Sequence, residues 1–110
     1  MQPIVALGCG LVGEYVIHRL ADDGHLVVAV DISIPESLSN RSEVTSIEKD
    51  AEKYVASLEE KTIVINMCND KTDLIHMSAN HNLFVFFSPN NSCYITHVVC
   101  AQLINKGLNL

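Results

Sequence analysis

Short, wholly apolar runs alternate along the chain with segments of helical periodicity, most clearly in the first thirty residues. Ile4-Val5-Ala6-Leu7 carries no polar position, which suits a strand buried on both faces of a parallel sheet. Val12, Val16 and Leu20 then recur at intervals of four, with Tyr15 beside them, and predict a helix. Asp22-Asp23-Gly24 ends it, with Gly24 placed as the left-handed residue past the helix terminus. A second apolar run, Leu26 to Val30, stops at Asp31 and predicts a second buried strand. Strand, helix and strand within about 30 residues is the length of one βαβ unit.

The alternation continues. Residues 33–44 are polar with one proline and predict a loop. Thr45-Ser46-Ile47-Glu48 has the spacing of a capping box, and a helix after it would place Ile47, Ala51, Tyr54, Val55 and Leu58 on one face. Thr62 to Met67 is rich in β-formers and predicts a third strand; Lys71 to Asn80 predicts a weaker helix. Leu83 to Phe87 predicts a fourth strand, broken by Ser88-Pro89-Asn90-Asn91. Ile95, Val98, Val99, Leu103 and Ile104 predict a last helix stopped by Gly107, and Leu108-Asn109-Leu110 the opening of a fifth strand. Such alternation implies an α/β fold, a doubly wound parallel sheet of the Rossmann type with helices on both faces. Five strands in the order 3-2-1-4-5 are expected.

Composition narrows the class of function. The 110 residues, 48% hydrophobic and 18% charged, suit a single domain spanning 1–110. A net charge of −6 argues against nucleic acid as a partner. The acids are also clustered: residues 1–61 carry 11 acidic and 5 basic side chains, the remainder two of each. The apolar run Leu83 to Phe87 is five residues long, whereas a spanning helix needs about 20, so no membrane partner is expected. Met1-Gln2-Pro3-Ile4 does not begin a secretory signal, and Cys9, Cys68, Cys93 and Cys100 form neither a CxxC nor a zinc-ribbon pattern. Reduced thiols in a cytoplasmic protein are the expectation.

The chemistry is concentrated in Gly8-Cys9-Gly10-Leu11-Val12-Gly13, between the first strand and the first helix. A GxGxxG pattern means little alone, but here a buried strand precedes it, a helix follows, and Asp31 ends the next strand 23 residues after Gly8. Gly8 would make the tight turn, Gly10 would let a pyrophosphate approach the backbone, and Gly13 would let the helix pack closely on the sheet. The N–H groups around Gly10, Leu11 and Val12 would face the phosphates with the helix dipole behind them. No lysine follows the glycines, which excludes the nucleoside-triphosphate loop. The Asp31 carboxylate would accept from ribose hydroxyls and repel a 2′-phosphate. Ile32 and Ser33 supply no positive charge, and Arg41 lies far along the loop. NAD is therefore expected over NADP, although an adenosyl group or a bare nucleotide would use the same features. Cys9, inside the turn, is a thiol that the helix dipole could activate or simply a small residue that fits.

Other constellations carry less. Cys93, His97 and Cys100 share a helix face at i, i+4 and i+7, but no fourth ligand accompanies them, so the two cysteines read as small core-facing residues of a helix packed on the sheet. His76 and His81 do not share a face, and Phe84, Phe86 and Phe87 suit a strand core. No catalytic residue and no metal ligand is assigned.

On these residues the chain resembles the N-terminal NAD(P)-binding domain of the saccharopine dehydrogenase family. The likeness is carried by Val5 to Val16, Leu20 to His25 and Val28 to Ile32, and extends to Ile65 to Asp70, Phe87-Ser88-Pro89 and Ile104-Asn105-Lys106. It implies that Ile32, Asn69, Ser88 and Pro89 join the cofactor-binding residues. It also implies a parent oxidoreductase acting on an amino-acid-derived C–N bond, with a C-terminal substrate domain as a partner that this chain lacks. Asn90 to Cys93 intervene before Tyr94 and His97, so the family's roles for an aromatic and a histidine are not carried over. A second copy of the chain, as a homodimer, is a further candidate partner. The alternative is a nucleotide-sensing domain of the potassium-transport regulator type, which usually shows a Gly-Asp-Ala-Thr-like segment where this chain has Cys68-Asn69-Asp70-Lys71. With no second domain to hold a substrate against a nicotinamide, the isolated chain is expected to bind dinucleotide without turnover.

Overall fold

The apolar runs pair side by side in a parallel sheet. A computed structural model describes residues 3–59 and 62–68 and the backbone of residues 83–86. β1 (Ile4–Leu7) leads into α1 (Leu11–Asp22), and β2 (Val27–Asp31) follows. A one-turn helix α2 (Glu36–Ser39), a strand β3 (Val44–Glu48) and a helix α3 (Ala51–Ser57) precede β4 (Ile63–Asn66). The strands lie in the order β3-β2-β1-β4, and Leu83–Phe86 (β5) pairs in parallel with β4. Leu7 is in register with Val30 on one side and Asn66 on the other, so the carboxyl ends of β1, β2 and β4 share one sheet edge.

Strand alternation sorts the core into two layers. Ile4 and Ala6 of β1 pack with Val16, Ile17, Leu20 and Ala21 of α1, whereas Val5 and Leu7 pack with Ala51 and Val55 of α3. β1 and β4 are buried at every position, as their unbroken apolar runs require. Gly24 adopts φ +95 past the end of α1, the left-handed conformation its place there predicts.

Between residues 33 and 67 the elements differ from those expected. The Thr45–Glu48 segment is not a capping box but lies within β3, aligned along β2 from Val27↔Val44 to Asp31↔Glu48. Its β-branched Val44, Thr45 and Ile47 suit a pleated edge, and pairing with β2 satisfies backbone groups that a lone helical turn would leave open. The helix starts later, where the Asp50 side chain accepts from the Lys53 amide at 3.2 Å. Ile47 thus reaches the second core layer from a strand rather than from the helix. Thr62 to Met67 consequently supplies the fourth strand, beside β1, and not the third, beside β2. The expected strand at 108–110 and the helices at 71–80 and 95–104 lie outside the described residues.

The polar segment 33–44 is also more than a loop. Leu38, within α2, is fully buried in the α1 layer. Leu38→Ala is expected to destabilise the fold by about 2–5 kcal/mol, as deletion of a core leucine does. Denaturant unfolding checks this; a change within about 0.5 kcal/mol would be that of a solvated loop position.

Candidate functional site

The turn after β1 is built by close backbone approach. Gly8 stands at φ +99, and a Cβ there would lie 2.9 Å from the Met67 carbonyl carbon and 3.0 Å from the Cys68 amide nitrogen. A Cβ on Gly13 would run into the Gly8 carbonyl oxygen. The first glycine is therefore needed for both its conformation and its contacts, and the third lets α1 rest on the end of β1. Gly10 differs: a Cβ there meets nothing within 4 Å, so the space above it is open. It is the N-cap of α1 and has no side chain with which to cap the helix. Its carbonyl accepts from the Glu14 amide at 2.8 Å, while the amides of the first turn, Leu11, Val12 and Gly13, have no intrahelical acceptor.

Asp31 sits against this turn. Its Oδ2 accepts from the Cys9 amide at 2.7 Å and its Oδ1 from the Ile32 amide at 2.6 Å. The Gly8 amide donates to the Val30 carbonyl at 2.9 Å and the Lys49 amide to the Asp31 carbonyl at 3.0 Å, which fixes the strand end that carries the carboxylate. Leu11 and Ile32 flank the turn and the acid, and are 85% and 76% exposed. Each leaves a large apolar side chain in water beside a polar group, where it could lie against a flat ring. The arrangement can thus offer amide donors to an anion, carboxylate acceptors to hydroxyls and apolar contact to a heterocycle. Gly8, Cys9, Gly10, Leu11, Val12, Gly13, Asp31 and Ile32 all meet here. Asn69, Ser88 and Pro89 lie outside the described residues.

Cys9 is not an activated thiol. Burial pushes its pKa up to about 12, with the Asp31 carboxylate adding to the rise, so the thiol stays protonated at neutral pH. Arg41 is held away from the acid. Its guanidinium donates to Asp22 Oδ1 at 2.8 Å, to Glu43 Oε1 at 3.3 Å and to the His18 carbonyl at 3.2 Å. The hydrogen bond to Asp22, and then that to Glu43, raises the Arg41 pKa; the same contacts lower those of the two carboxyls. Asp22 ends α1, about 16 Å along the helix from Leu11 at 1.5 Å per residue. Ser37 donates to Glu14 Oε1 at 3.0 Å and lies 3.2 Å from His18 Nε2, so the segment after Asp31 is tied to the flank of α1.

One residue at this edge has no signal in the glycine pattern. Asn66, at the end of β4, is 0% exposed, and its Oδ1 accepts from the Cys68 amide at 3.0 Å. Its Nδ2 is buried with no hydrogen-bond partner among the described residues, which costs about 1–3 kcal/mol. The mark of it in the sequence is an amide closing the otherwise apolar run Ile63-Val64-Ile65.

The glycine contacts set a stability test. Gly13→Ala forces α1 off the Gly8 carbonyl and is expected to cost roughly 1–3 kcal/mol or more, whereas Gly10→Ala meets no atom and is expected to stay within about 1 kcal/mol. Thermal or urea unfolding of the two variants checks this; equal losses would contradict the geometry. Comparison of the chain with protein-family models, with curated proteins and with solved structures returns no match in any of the three.

Proposed function

We propose that this chain is a dinucleotide-binding domain that takes NAD in preference to NADP. We infer further that it serves an oxidoreductase similar to the saccharopine dehydrogenase family, acting on an amino-acid-derived C–N bond. The observation that carries the proposal is the 2.7 Å bond from the Cys9 amide to Asp31 Oδ2, because it joins the ribose-reading acid to the phosphate-binding turn. The amides of Leu11 and Val12 would donate to phosphate oxygens, with the helix dipole adding to the attraction. Gly10 leaves the room that a pyrophosphate needs. Each Asp31 oxygen accepts one backbone bond and keeps capacity for a ribose hydroxyl. Ile32 and Leu11 would lie against the rings.

Arg41 favours the same choice of cofactor. A 2′-phosphate would face the Asp31 carboxylate, while Arg41 is engaged by Asp22, Glu43 and His18 at the far part of α1. The proposal includes the full five-stranded, doubly wound form and a cytoplasmic setting. Among the described residues no helix is long and apolar enough to cross a membrane. Asn69, Ser88 and Pro89 would complete the cofactor edge, and a substrate domain beyond this chain would supply the reacting partner. When bound, the nicotinamide supplies the hydride chemistry; this chain's residues bind and orient it.

Calorimetric titration tests the proposal. NAD is expected to bind at least about tenfold more tightly than NADP, a difference of roughly 1.4 kcal/mol. Asp31→Ser should narrow the gap, and Gly10→Val should abolish binding while the domain stays folded. Equal affinities or an NADP preference would contradict the role of Asp31. Normal binding by Gly10→Val would contradict the placement of the phosphates.

A further inference from the structure

The amide of Asn66 is only half explained by its hydrogen bond to Cys68. The oxygen bends the chain leaving β4: Cys68 donates back to Oδ1 at 3.0 Å, while the Met67 amide donates to the Leu7 carbonyl at 2.7 Å. Those two bonds lay Met67 and Cys68 against Gly8, where a Cβ would lie 2.9 Å from the Met67 carbonyl carbon. The nitrogen does nothing comparable. It lies in a residue that is 0% exposed and has no acceptor among the described residues. A buried donor without a partner opposes folding, and a leucine would continue the apolar run of Ile63-Val64-Ile65 without that cost. Its place is equally specific, since Asn66 is in register with Leu7, the residue before the glycine turn. In the order β3-β2-β1-β4, the interval between β1 and β4 is where the winding of the sheet reverses, and such switch points take ligands at their carboxyl ends.

We propose that Asn66 is a positioning residue of the nucleotide site. Through Oδ1 it holds Met67 and Cys68 against Gly8, and its Nδ2 hydrogens gain an acceptor when a dinucleotide occupies the carboxyl edge of β1 and β4. This inference rests on the dinucleotide reading above. It accounts for the buried donor that the bond to Cys68 leaves unexplained.

The test is nitrogen-15 NMR of the whole chain with labelled asparagine, leucine and valine, titrated with NAD. The Asn66 side-chain amide pair is identified by its absence from Asn66→Leu. At saturation with NAD that pair is expected to shift and to exchange more slowly with solvent, together with shifts of the Leu11 and Val12 backbone amides. Asn66→Leu is expected to keep a thermal midpoint within a few degrees of the parent chain while its affinity for NAD falls at least about tenfold. If the Leu11 and Val12 amides shift while the Asn66 pair stays in place, the inference is overturned and the dinucleotide reading stands. Binding of NAD by Asn66→Leu at the affinity of the parent chain would overturn it equally. If no amide in the chain responds to NAD, the dinucleotide reading fails, and this inference with it.

Discussion

Three stretches of backbone meet at Gly8, and the rest of the site depends on their contact. The strand end, the first turn of α1 through Gly13 and the exit of β4 at Met67 and Cys68 approach so closely that a Cβ on either glycine would strike main-chain atoms. Because these obstacles are backbone and not flexible side-chain ends, they cannot move aside without moving a strand or a helix. This contact sets α1 with its N-terminus at the sheet edge. It also leaves the Cys9 amide facing the end of β2, where Asp31 receives it at 2.7 Å. The glycines and the acid, 23 residues apart in sequence, thereby become one feature.

Charge around this feature is arranged by the segment that follows it. Arg41 is the basic residue of the 32–43 segment, yet its guanidinium faces Asp22 and Glu43 and braces the segment on the later turns of α1. These are surface pairs, and their value lies in where they hold the cation rather than in net stability. Asp31 keeps its negative field at the mouth of the turn. Leu38, buried beneath the same segment, anchors it by packing where the ion pairs alone would be weak.

The parts legible in the sequence were those fixed by local chemistry. Gly8 and Gly24 have the positive φ their turns call for, and the apolar runs Ile4 to Leu7 and Leu26 to Val30 became parallel strands, save that Leu26 precedes β2 and is 47% exposed. Thr45 to Glu48 misled because a four-residue capping signal is short. It competes with a strand whose stabilising partner, β2, lies some seventeen positions away at each register pair. Leu38 stood in a polar stretch whose pattern gave no period, so its burial followed only from the tertiary path. Asn66 falls inside the predicted strand Thr62 to Met67, with nothing local that gives it a special role. Its burial beside the glycine turn is a property of the packed sheet, since no local pattern tells which side-chain donors will lack acceptors.

On the proposed reading, one turn and one acid hold one dinucleotide. A crystal structure of the chain grown with NAD decides it. The expected result is pyrophosphate oxygens within about 3 Å of the Leu11 and Val12 amides, above Gly10, with ribose hydroxyls on the Asp31 carboxylate. NAD bound elsewhere on the sheet, or bound here with its ribose turned away from Asp31, would contradict it.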